Sequence, residues 1–264
     1  MVKVFSASLY STEVKHSVCN SWHKIDFFLG SRGLQTSLTR SAVRAAEWLI
    51  NQQDENRTYG EGHVSAFAFQ SLRLIGHSVE AGAEHLNAEI INADIGSLSG
   101  GRVAHYILGA LASCRDPQNF YDFNLVSSLK TKLSEYPQVG FNHPFQYSLA
   151  VLALCSSGHL GRMEFGYVNN ILLSISEQSP SVLASGDTLA MQIMALTCVT
   201  KSIKKKGSET ILNKIKDGID EASAELVNRQ SNDSTFGENE VTAALALQVS
   251  KRFYCWYSVS RDSK

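Results

Sequence analysis

Proline and glycine are scarce: 4 and 18 in 264 residues. That excludes a linker-like architecture rich in the two. An excess of charge of either sign is missing as well. Lys+Arg number 24 against 25 Asp+Glu, a net charge of -1, and a chain without a basic excess or a basic face does not read as a nucleic-acid binder. No apolar run approaches the ~20 residues of a membrane helix; Asn124 to Leu133 and Asn170 to Ile175 are interrupted by polar residues. The first thirty residues carry an apolar patch at Phe27, Phe28 and Leu29. They lack the basic start, apolar core and small-residue cleavage site of a readable export signal.

Catalytic motifs are equally thin. The chain shows no GxSxG, P-loop, GxGxxG or HExxH. The acidic clusters a terpene cyclase uses to ionise its substrate, DxDD or DDxxD, are absent, and no Asp, Cys and His group as a zinc prenyltransferase needs. Asp217 and Asp220 fall on a charged helix and Asp116 at a turn. The sequence therefore disfavours an enzyme. The five cysteines, Cys19, Cys114, Cys155, Cys198 and Cys255, form no CxxC pair, so zinc-ribbon and thioredoxin readings fail.

What is present is helical periodicity. Hydrophobic residues make up 44%, and the length allows one large domain or two small ones. Apolar positions recur at three and four, as in Ala42, Ala45, Ala46, Leu49 and Ile50. Further helices are expected over 64–75, 81–95, 101–113, 125–135, 145–156, 165–176, 187–201, 209–229 and 240–250. Short breaks carry turn residues such as Asp116-Pro117, Pro137, His143-Pro144 and Ser157-Gly158. The N-terminal 1–36 is expected to be irregular and 251–264 a tail.

The helices repeat. Ile107 to Cys114, Leu149 to Cys155 and Met191 to Cys198 are similar apolar stretches, and their closing cysteines are 41 and 43 positions apart. Weaker copies surround Phe69 to Leu74 and Ala243 to Gln248. A period near 40 fits one helix pair per repeat. Every second helix is rich in Ala, Ser, Cys and Leu, suited to an inner ring, while the intervening ones carry charge and suit a solvent face. An open solenoid and a closed α/α toroid both satisfy this pattern. In a toroid the inner-helix N-termini converge as a ligand cup, where orphan N–H groups need acceptors.

Candidate residues follow from that geometry. Asp187 opens an inner helix and reads as an N-cap, as a ligand contact at the cup mouth, or as both. Gln146, after His143-Pro144-Phe145, and Asn239 offer amides that donate and accept, suited to a neutral, amide-rich ligand, or else they are solvated loop residues. His105 on its apolar helix is expected to be a satisfied core or groove histidine. Lys204 to Lys206 reads as a solvated loop, and Asn56-Arg57-Thr58 and Asn232-Asp233-Ser234 match the glycosylation sequon.

Four ordered stretches resemble the eukaryotic cobalamin-binding proteins, the family of intrinsic factor, transcobalamin and haptocorrin. They are Gly101-Arg102-Val103-Ala104-His105-Tyr106 leading to Cys114-Arg115-Asp116-Pro117; Phe145-Gln146-Tyr147-Ser148 through Cys155; Ser185-Gly186-Asp187-Thr188-Leu189-Ala190-Met191 through Cys198; and Glu238-Asn239-Glu240-Val241-Thr242 through Gln248. The resemblance implies an all-α, α/α-toroid domain over 37–250 whose cup binds cobalamin as a carried ligand, non-enzymatically. It implies contacts from Asp187, Asn239, Asn142, His143, Phe145 and Gln146, and from Arg102, which stands where family members carry Gln. One family branch offers a His to cobalt shortly before its Asp; the stretch here is Leu183-Ala184-Ser185-Gly186, so no protein ligand to cobalt is expected from it. The family's further toroid helices and smaller β-rich domain are not matched before Lys264, so an incomplete toroid and a half-open, weaker cup are expected. The family is secreted and binds a cell-surface receptor. Carried over, this implies an extracellular carrier with Cys155–Cys198 and Cys19–Cys255 bridges and Cys114 left without its family partner. An interaction scaffold, a toroid for another amide-rich molecule and a toroid enzyme are the alternatives.

Overall fold

Helices that are apolar all round alternate with helices apolar along one stripe, and this alternation dictates the packing. A computed structural model describes residues 34–55, 58–60, 62–137, 141, 143–161, 165–176, 185–203, 209–231, 236, 241–246 and 249. Its helices are α1 (Leu34–Ile50), α2 (Gly62–Leu74), α3 (Gly82–Ala93), α4 (Gly100–Ala112), α5 (Leu125–Ser134), α6 (Pro144–Ser156), α7 (Phe165–Ser176), α8 (Gly186–Ile203) and α9 (Glu209–Asn228). Residues 241–246 are also helical. Among the described residues there is no strand, and no helix is long and apolar enough to cross a membrane. Helix α1 begins a turn before the expected boundary at 37.

The helices fall into two compact units, with α1 to α5 in one and α6 onward in the other, dividing between Glu135 and Tyr136. In the first, nearly every residue of α4 is buried, whereas α3 buries only Ala83, Leu86 and Ile90, and α5 only Leu125, Val126, Leu129 and Leu133. The first pattern belongs to a helix surrounded by protein, the second to one facing water. Packing agrees: α2 lies mainly on α4, while α3 and α5 lie against them from outside. The second unit repeats the scheme. Helix α6 is buried continuously from Tyr147 to Cys155 and packs mainly on α8. The stripes Val168, Ile171, Ile175 of α7 and Ile215, Gly218, Ala222, Leu226 of α9 cover them.

Successive inner helices run parallel. His63 and Phe67 of α2 meet His105 of α4, with ring centres 6.1 and 6.3 Å apart. Ala66 faces Gly109, and Arg73 Nη2 donates to Cys114 Sγ at 3.2 Å. Sequence number rises together along both helices. Small side chains allow the approach: a methyl added at Gly109 would stand 2.9 Å from Ala66 Cβ, 2.9 Å from Leu86 Cδ1 and 3.2 Å from the Ala66 Cα.

Cys114 has φ 58 directly after α4 and is disulfide-bonded, with its partner outside the described residues. The expectation that it lacks a partner is therefore corrected. Because Cys155 and Cys198 hold each other, a bonded Cys114 also leaves no second pair for the expected Cys19–Cys255 bridge, whose cysteines lie outside the described residues.

His105 corrects a second expectation. It is not satisfied: its Nδ1 is buried without a hydrogen-bond partner, as is the Nδ1 of His63. Burial, and secondarily the charge of His63, push His105 down from 6.5 to about 4.

Alanine at position 109 gains about 1 kcal/mol of helix propensity, but overpacking costs about 1–3 kcal/mol, and the contact is with backbone as well as side chain. Gly109→Ala should lower the urea midpoint and Gly109→Leu should lower it further; a stabilised alanine variant would show that α2 and α4 have room. For His105, the unfolded chain binds more protons than the folded one between pH 6.5 and about 4. Stability is therefore full above 6.5 and falls as pH drops through that window, by on the order of 3 kcal/mol for this group. Denaturant melts across pH 4–7 should be flatter for His105→Gln than for the parent chain.

Candidate functional site

The N-terminal ends of α6 and α8 carry the polar residues singled out from the sequence. The bridge between Cys155 and Cys198 holds the two Cα atoms 6.1 Å apart. It joins the last turn of α6 to the closing turns of α8, and the helices pack along their lengths. They must run in the same direction, because antiparallel helices bridged there would scarcely overlap. Gln146 lies nine residues before its cysteine and Asp187 eleven before its own. At 1.5 Å per residue both stand ~13–17 Å from the bridge, at the same end.

Each helix start is built locally. Pro144 occupies the first turn of α6, where its missing N–H costs nothing. His143 caps that helix: its Nδ1 accepts from the Phe145 N–H at 3.2 Å. The ring is thus the tautomer whose Nε2 carries the hydrogen, leaving that N–H to donate. Phe145 and Gln146 follow, both half-buried. Behind them an aromatic cluster braces the connection. The Tyr147 ring centre lies 4.3 Å from that of Tyr136 and 5.4 Å from that of Phe141. The Tyr147 hydroxyl accepts from Asn170 Nδ2 at 3.0 Å, tying α6 to α7. Burial raises this phenol, against the lowering effect of Asn170, so it stays protonated.

At α8 the structure corrects the capping assignment. Ser185, not Asp187, caps the helix: its Oγ accepts the Thr188 N–H at 3.3 Å and lies 3.1 Å from Thr188 Oγ1. Gly186 follows in close contact with the segment 241–246; a Cβ there would sit 2.6 Å from Thr242 Cγ2. Asp187 is therefore inside the first turn, with its carboxylate released from capping. Its Oδ1 is buried and has no hydrogen-bond partner, and the same holds for Gln146 Oε1. Deeper in α8 the polar groups are satisfied, as where buried Gln192 donates to Ser174 Oγ at 2.9 Å. Within α6 and α8 these two oxygens lie at the helix starts, and both are acceptors; elsewhere Asn87 Oδ1 and Ser113 Oγ are also buried without a hydrogen-bond partner. What fits them is a ligand presenting N–H or O–H donors.

Arg102 is exposed in the first turn of α4, in the other unit, where its backbone N–H donates to the cap Ser99. Asn142 and Asn239 lie outside the described residues. Sequence reasoning missed the two facing histidines of α2 and α4. The signal was available: His63 and His105 are 42 positions apart, the same period that relates the cysteines.

The comparisons with known proteins agree with this architecture. The model of the eukaryotic cobalamin-binding protein family matches residues 47–251. Transcobalamin-2 of Bos taurus is 31% identical over 160 residues, covering 56% of this chain and 35% of the relative. Human transcobalamin-1 is 28% identical, over 55% of this chain and 36% of the relative. The chain thus spans about a third of the length of these relatives. Among solved structures, haptocorrin in complex with Cbi superposes with a TM-score of 0.63 at 21% identity, covering 81% of this chain and 56% of that one. That likeness shows the fold, the all-α class of the α/α toroids. With the family model matching most of its length, the chain belongs to the eukaryotic cobalamin-binding protein family.

Proposed function

We propose that this protein binds cobalamin or a related corrinoid as a non-enzymatic, extracellular carrier. The observation that carries the reading is the pair of buried acceptors, Gln146 Oε1 and Asp187 Oδ1, at the common end of two parallel helices. A corrin rim bears several primary carboxamides, and each presents N–H donors. An orphaned buried acceptor costs about 1–3 kcal/mol, which a ligand donor offsets on binding. Phe145 adds apolar surface beside Gln146, and the Nε2–H of His143 adds one donor for an amide carbonyl. Asn142 and Asn239 belong to the same proposed set on the strength of the family resemblance, as does Arg102, whose guanidinium offers donors only. The assignment of a carrier rather than an enzyme rests on the family and on the ligand-binding character of these groups.

The extracellular assignment has a physical support of its own. Disulfides persist in oxidising compartments and are rare where thiols are kept reduced. Cys155, Cys198 and Cys114 are all bonded.

Purified protein mixed with hydroxocobalamin should carry the corrinoid chromophore through a sizing column, with a shifted absorption spectrum. Asp187→Ala and Gln146→Ala should each weaken retention by about 1–3 kcal/mol, roughly 5- to 150-fold. Asp187→Asn, which keeps an acceptor oxygen, should lose less. No retained chromophore in the parent chain would end the corrinoid reading, and unchanged affinity in both alanine variants would move the site elsewhere.

A further inference from the structure

We propose that His63 and His105 form a two-imidazole site for a late first-row transition-metal ion, clamped between α2 and α4. The pair lies in the first unit, and neither histidine is among the residues assigned to the corrinoid. The two rings belong to adjacent parallel helices, and their centres are 6.1 Å apart at an interplanar angle of 50°. An ion ~2 Å from one nitrogen of each ring holds the ring centres about 5–6 Å apart, so the pair already stands near the required spacing.

The chemistry of the nitrogens points the same way. Both Nδ1 atoms are buried and lack a hydrogen-bond partner. In the tautomer whose Nδ1 carries the lone pair, two such neighbouring imidazoles can share one partner that accepts a lone pair from each. Neutral imidazole is a ligand for Zn(II), Cu(II) and Ni(II) and is poorly suited to Mg(II) or Ca(II). Phe67 stands edge-on to His105, with ring centres 6.3 Å apart at 81°, and gives the pair an apolar wall. The nearby carboxylate of α3 is engaged elsewhere, because Glu89 holds His85 at 2.7 Å and accepts from Tyr106 at 3.0 Å. Among the described residues no group of three or more His, Cys, Asp or Glu converges on a metal position. The pair would therefore supply two ligands, and water the rest. Both histidines are half-buried.

Calorimetric titration of the full chain with zinc chloride, and separately with copper(II) chloride, tests the site. One ion per chain is expected for at least one of the two metals, together with a rise in the thermal midpoint, because the ion ties α2 to α4. His63→Gln and His105→Gln should each weaken binding more than tenfold and abolish the midpoint rise. His85→Gln, which disturbs a histidine already paired with Glu89, should change neither. In the copper arm, nitrogen hyperfine structure in the electron paramagnetic resonance spectrum should report two imidazoles in the parent chain and one in His63→Gln. If His105→Gln fails to fold, His63→Gln decides alone, since it removes a half-buried ring at the very start of α2. Failure of both metals to bind overturns the proposal, as does binding of unchanged strength in His63→Gln.

Discussion

Parallel inner helices packed through side chains too small to hold them apart are the constraint from which the rest follows. Gly109 against Ala66 in one unit, and the Cys155–Cys198 bridge in the other, bring helix surfaces nearly to backbone contact. A residue on such a helix is buried on every side, which is why α4 and α6 carry almost no polar side chains along their middles. Polar groups are pushed to the ends. There the first-turn N–H groups need caps, and residues just inside the cap hold side chains with few neighbours to pair with. The location of the candidate site is thus a consequence of the packing.

The repeat was legible because the packing rule is local in composition. Any stretch of Ala, Leu, Ser and Cys between charged helices announces an inner position, and the cysteines mark the register. The helix limits came out within a residue or two in most cases, as for α4 and α6, because Ser99 and His143-Pro144 are strong start signals. Less was legible where two residues competed for one role. Ser185 and Asp187 both favour caps, and their own short stretch does not rank them. The choice is made by Gly186, which must lie against Thr242, a contact between residues more than fifty positions apart. Once Ser185 takes the cap, Asp187 changes from a structural residue into one whose buried Oδ1 has no hydrogen-bond partner.

The cysteines teach the same lesson about counting. A pairing scheme carried over from relatives matched Cys155 with Cys198, whose spacing equals one repeat. It failed at Cys114, whose bonding depends on where distant chain segments lie. His63 and His105 were missed for the opposite reason. Each looked ordinary on its own helix, and only the repeat period places one opposite the other.

Why a fold should keep orphaned acceptors becomes clear when the alternatives are weighed. Gln146 and Asp187 sit on helices fixed by a disulfide and by an aromatic brace around Tyr147. Each residue is half-buried, and each keeps one oxygen out of water without a hydrogen-bond partner. A pair of apolar residues there would remove the desolvation penalty at once. Retaining the polar pair is costly in the empty protein and favourable only when donors arrive. The more rigid the support, the less ordering the ligand must induce on arrival, so more of the relieved penalty appears as affinity. The same constraint that buries the helix middles therefore preorganises the two acceptors at their ends.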